Sequence, residues 1–105
     1  MAAALLPSAH ISTVNWVEVA QRCISAGIPH THLRGRLVAL GVSIQPLLVE
    51  DAEVAAELRD RTRFLGLSLG DRVCLALAMR LGVTAVTAEQ AWRKLDIGIS
   101  IQVIR

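Results

Sequence analysis

Three carboxylates carry the chemistry that this sequence offers. Glu18 lies early in a helix that follows a strand, Asp71 opens a later helix, and Glu89 stands just past a short β-branched strand. If the strands run parallel, helix starts and strand carboxyl ends share one edge of the sheet, the edge at which α/β proteins bind ligands. Acids gathered there form an oxygen-donor set for a hard divalent cation such as Mg²⁺ or Mn²⁺. Such a cation can orient an attacking water and screen charge that develops on a phosphate. Each acid also has an ordinary role open to it. Ser68 and Asp71 have the spacing of an N-terminal capping box, Glu18 stands one turn before Arg22, and Glu89 suits the first turn of a short helix. Taken one at a time, spacing favours these structural roles.

Other reactive side chains point less clearly to chemistry. His30 and His32 form an H-x-H pair, but no cysteine or further histidine lies nearby, and the pair reads as a solvated helix start rather than a metal site. The arginines from Arg59 to Arg72 would either line a phosphate path or form a solvated, salt-bridged face. Cys23 and Cys74 fall on apolar faces of expected helices, as free buried thiols do in a reducing cytoplasm. The start MAAALLPSAH has no basic segment ahead of its short apolar run, and Arg80 interrupts the longest apolar stretch. The expectation is a soluble cytoplasmic protein with no membrane contact.

The elements that must place the acids follow from periodicity and punctuation. The first residues, Ala2 to Leu6, resemble the last turns of a helix that Pro7 ends. A brief strand, His10 to Ser12, precedes a helix from about Val14 to Ala26, with Trp16, Val19, Ala20, Cys23 and Ile24 as its apolar stripe, Asn15 and Glu18 as a capping pair and Gly27 as its stop. Pro29 and Thr31 open a second helical piece that Gly41 closes, and Val42 to Leu48 is the next strand. Glu50, Asp51 and Glu53 crowd the first turn of a third helix, where negative charge suits the macrodipole, and Val54, Ala55 and Leu58 form its buried side. The central helix starts near Leu69, is apolar on almost every face from Val73 to Leu81, and ends at Gly82. Val83 to Thr87 reads as a strand buried on both faces, a short helical piece carries Trp92, and Ser100 to Arg105 closes the chain as a strand. Helices alternate with strands throughout, which predicts a three-layer α/β/α structure around a parallel sheet.

Composition sets the limits. With 105 residues the chain is one domain, residues 1–105, with a single core. Hydrophobic residues make up 53% and aromatics only 3%, so aliphatic side chains must fill that core. A net charge of +2 excludes general nucleic-acid binding by electrostatics alone, and of the eleven basic residues only Lys94 is not arginine. So apolar a surface budget also predicts that helical faces pack on a sister chain or another partner.

The stretch LSLGDRVCLALAMRLGVTAVTAEQAWRKL resembles the C-terminal half of PIN-domain ribonucleases of the VapC toxin type, and ISTVNWVEVAQRCISAG resembles their second strand and following helix. The resemblance covers essentially the whole chain. It implies an α/β/α sandwich and a Mg²⁺-dependent endoribonuclease that cuts structured RNA and is silenced by a cognate antitoxin. The family's helix glutamate falls on Glu18 and the aspartate of its LSLGDR motif on Asp71. Two departures stand out. Thr87, Ala88 and Glu89 replace a usual T-A-D, which puts a longer acid, Glu89, in that place. The family's opening strand, central in its sheet and ending in a metal-binding aspartate, has no counterpart here, so the expectation is an N-terminally shortened chain with Glu18, Asp71 and Glu89 as metal and catalytic residues. Asp96 is the reserve acid. The rival expectation is a catalytically inactive module that binds antitoxin or a second copy.

Overall fold

The computed structural model describes residues 9–87, 90–98 and 100–103, and the chain divides into two compact units, residues 1–47 and 48–105. The helix expected over Ala2 to Leu6, the acid Glu89, and Ile104 and Arg105 of the closing strand lie outside the described residues.

In the first unit, β1 (His10–Ser12) leads directly into α1 (Thr13–Ser25), then α2 (His30–Ala39) and β2 (Ser43–Gln45). The two strands pair in parallel, His10 opposite Ser43 and Ser12 opposite Gln45. Two helices form the crossover that a parallel pair requires. Among the described residues, Cys23 and Val42 are the buried apolar ones here, and Ser12 is buried too. Strand β2 is shorter than the expected Val42 to Leu48. It ends where Pro46 begins, since proline has no N–H to give to a ladder. The apolar stripe of α1 is also wider than the part that is covered: Cys23 is buried, while Ile24 is 64% exposed.

The second unit holds α3 (Val49–Arg61), a 3₁₀ turn at Arg63–Leu65, α4 (Leu69–Leu81), β3 (Ala85–Thr87), a 3₁₀ segment at Gln90–Lys94 and β4 (Ile101–Val103). Strands β3 and β4 are again parallel, with Ala85 opposite Ile101 and Thr87 opposite Val103. Helix α4 buries Val73, Leu75, Ala76, Leu77 and Ala78, a run too continuous for a helix with one wet face. Leu58, Leu75, Ala78, Ala85, Trp92 and Ile97 form one core cluster, so the short helical piece after β3 brings Trp92 into the core. Both units are thus α/β with parallel strand pairing, the class that the alternation of elements predicts.

Gly82 closes α4 in the left-handed conformation, φ 65°, and its amide donates back to Met79. A Cβ added there meets nothing within 4 Å. The whole cost of Gly82→Ala is therefore in the backbone, about 1–2 kcal/mol. A urea midpoint unchanged by the substitution would contradict the cap as described.

Candidate functional site

Asp71 owes its place to the way α4 begins. Ser68, extended at φ −70° and ψ 168°, is the N-cap; its Oγ accepts from the Asp71 amide at 3.1 Å, and Asp71 Oδ2 accepts from the Ser68 amide at 3.1 Å. The reciprocal pair satisfies two donors that the first turn leaves open. Among the described residues only one carboxylate oxygen is used. Asp71 is half-buried, and Oδ1 is left as a hard oxygen donor at the mouth of the helix. The negative charge is felt three residues on: burial pushes the Cys74 thiol up, and Asp71 pushes it further. Cys74 is accordingly a protonated thiol at neutral pH and not a nucleophile.

Glu18 stands one turn into α1. The helix is capped not by Asn15 with Glu18, as spacing suggests, but by Ser12, whose Oγ accepts from the Asn15 amide at 3.0 Å and donates to Asn15 Oδ1 at 2.7 Å. Asn15 then passes the chain of contacts on, its Nδ2 donating to Glu18 Oε1 at 3.3 Å. The reason is conformational: Ser12 ends β1 with extended dihedrals, so it is the last residue outside the helix. No ion pair joins Glu18 to Arg22 among the described residues. Glu18 is exposed and borders an open depression of about 440 Å³ with Gln21, Arg22 and Ser25.

As donors, both acids suit a hard divalent cation, because each has a carboxylate oxygen with no hydrogen bond among the described residues. Glu18 belongs to the first unit and Asp71 to the second. Among the described residues no group of three His, Cys, Asp or Glu side chains stands together as a metal cluster. Asp96 is exposed, and its carbonyl accepts from Arg61 Nη2 at 3.2 Å. His30 is half-buried and His32 exposed in the first turn of α2, the solvated helix start that the sequence suggests.

The arginine run divides. Arg63 pairs with Asp60 at 2.6 Å, both side chains more than 70% exposed, which is the solvated face expected of such a run. Arg72 differs. It is half-buried, and its Nη1 donates to the Ala55 carbonyl at 2.8 Å.

Asp51 is the acid that sequence reasoning undervalued. It is 1% exposed, its Oδ1 accepts from Arg80 Nε at 2.8 Å, and its Oδ2 accepts from the Leu48 amide at 3.0 Å at the start of α3. Burial acts to raise its pKa, but the Arg80 hydrogen bond, the Leu48 amide and the arginine's charge together outweigh it and hold the carboxyl below the usual value. A signal was present: Arg80 is the only charge in an otherwise apolar helical run, and a charge there needs a partner.

Compared with known protein families, the PIN domain model matches residues 1–98. No curated protein and no solved structure matches the chain.

Proposed function

The chain belongs to the PIN domain family, and from its nuclease-type character we propose a Mg²⁺-dependent endoribonuclease, the toxin of a VapC-type toxin–antitoxin pair. The observation that carries this is the Asp71 carboxylate, held by one oxygen in a capping box and with no partner for the other among the described residues, at the start of a helix whose motif resembles the catalytic helix of such enzymes. Glu18 and Glu89 complete the proposed donor set, with residues 1–105 acting as one domain. Mg²⁺ or Mn²⁺, when bound, supplies Lewis-acid stabilisation of charge on the scissile phosphate. The chain's own part is to hold fixed carboxylate oxygens, so that little reorganisation is needed when the phosphodiester is attacked by water. Asp71 is suited to this because the amide of the N-cap residue, Ser68, already holds its carboxylate by one oxygen.

The proposed setting is the cytoplasm, and the proposed partners are RNA, a cognate antitoxin and a second copy of the chain. No helix among the described residues is long and apolar enough to cross a membrane. Partner binding draws support from the first unit, where Val17, Ile24, Ile28, Val38 and Leu40 are all more than half exposed. The same side chains favour the second reading, a non-catalytic module that only binds.

Incubation of the purified chain with structured RNA, with Mg²⁺ and then with a chelator, separates the two. Cleavage that needs the cation supports the enzyme. No cleavage by a chain that folds and sediments as a dimer at micromolar concentration supports the module, and a clean monomer that neither cleaves nor gains stability on adding antitoxin counts against both.

A further inference from the structure

Two arginines of α4 reach α3 at different points along it. Arg80 Nε donates to Asp51 Oδ1 in the first turn of α3, and Arg72 Nη1 donates to the Ala55 carbonyl one turn further along, each at 2.8 Å. Residues 72, 76 and 80 stand at i, i+4 and i+8, on one stripe of α4. The residue between the arginines is Ala76, and Ala55 and Ala76 are both 2% exposed. Small side chains at a helix contact let the axes approach closely. Helix α3 is itself well fixed, with Asp51, Ala55 and Leu58 all buried.

The bond from Arg72 comes with a penalty. Its Nε is buried and has no hydrogen-bond partner among the described residues. A buried, unpaired donor is a net loss, and an apolar side chain of similar length would avoid it. What the guanidinium adds is a planar donor of fixed geometry, reaching a rigid carbonyl from the residue next to Asp71. The start of this turn is open to solvent: Ser68 is exposed and Leu69 is 61% exposed.

We propose that Arg72 is a positioning residue, whose bond to the Ala55 carbonyl fixes the first turn of α4 and with it the direction of the Asp71 carboxylate. Its consequence for metal rests on the cation-donor role of Asp71 proposed above. Its consequence for the turn does not.

Amide hydrogen exchange and Mn²⁺ titration of the full chain test the two consequences separately. In Arg72→Met, the Asp71 amide, protected by Ser68 Oγ, should exchange roughly fivefold faster or more, while the amides of Ala76 to Ala78 in the middle of α4 stay as they are. Mn²⁺ affinity should fall by about tenfold, the usual scale for losing a support behind a metal ligand, with Arg72→Lys recovering part of it. Unchanged exchange at Asp71 overturns the proposal. If Arg72→Met does not fold, Arg72→Gln and Arg72→Lys carry the same comparison. If Asp71→Asn binds Mn²⁺ as tightly as the unmodified chain, the cation role fails instead, and the exchange at Asp71 still decides what Arg72 does.

Discussion

Asp51→Ala should destabilise the protein by about 3 kcal/mol, the low end of the range for removing one partner of a buried ion pair. The low end applies because the Arg80 side chain is 28% exposed, so water takes up part of what the guanidinium loses. Two bonds go at once, to Arg80 Nε and to the Leu48 amide, and the N-terminus of α3 is left with no side-chain cap. Against a total stability of about 5–15 kcal/mol that is a large fraction. Replacing both partners, Asp51→Leu with Arg80→Met, should return most of the loss, since an apolar pair of similar volume has no charge to desolvate. The pH dependence has a definite sign. The folded carboxyl keeps its charge to a lower pH than the unfolded one, so below about pH 4 protons bind the unfolded chain preferentially. The contribution is therefore complete above the unfolded value and is lost as pH falls through the folded one. Urea unfolding from pH 7 to pH 3 should show the gap between the unmodified chain and Asp51→Asn closing in that window. A gap below about 1 kcal/mol at pH 7 would reduce the pair to the worth of a surface contact.

That ion pair also marks where sequence stops being informative. Helix α4 is legible almost to the residue, because its signals are local: Ser68 and Asp71 start it, Gly82 stops it, and from Val73 to Leu81 only Arg80 breaks the apolar run. The same holds for the parallel pairing of short strands across helical crossovers, which alternation of elements implies. Asp51 and Arg80 are 29 positions apart, and nothing local distinguishes a carboxylate that complements a helix dipole from one buried against a guanidinium. Arg72 is illegible for the same reason, as its acceptor is a backbone carbonyl 17 positions back.

The first unit shows a different limit. Hydrophobic periodicity says which face of α1 is apolar, not how much of that face is covered, and so Ile24 reads as core while it is 64% exposed. Asn15 reads as the cap because it is a good capping residue with an acid three positions on. Ser12 takes the role because β1 runs into the helix without a loop, which fixes the residue with extended dihedrals. Among the candidate acids, motif spacing places Asp71 at its helix start and Glu18 one turn into its own helix. Glu89 lies outside the described residues.

Asp71→Asn should separate the two roles of this residue, and its effect on function should be far larger than its effect on folding. The amide side chain keeps an oxygen that can accept from the Ser68 amide, so stability without cation should change by no more than about 1 kcal/mol. What it lacks is the second oxygen and the negative charge, since an NH2 group stands in that place. In the unmodified chain, Mn²⁺ at one hundred times its dissociation constant should stabilise the fold by about 2.7 kcal/mol through linkage alone. The variant should lose most of that gain, and RNA cleavage should fall by about a hundredfold or more, since metal stabilisation of the transition state is worth several kcal/mol and each tenfold is about 1.4. Ser68→Ala makes the complementary change: it removes the acceptor for the Asp71 amide, at about 1 kcal/mol, and leaves the carboxylate charge in place. Its cation-dependent gain should survive even though its baseline is lower. Should the two variants behave alike, each losing stability and neither losing the response to Mn²⁺, Asp71 is a cap and nothing more, and the metal site must be built without it.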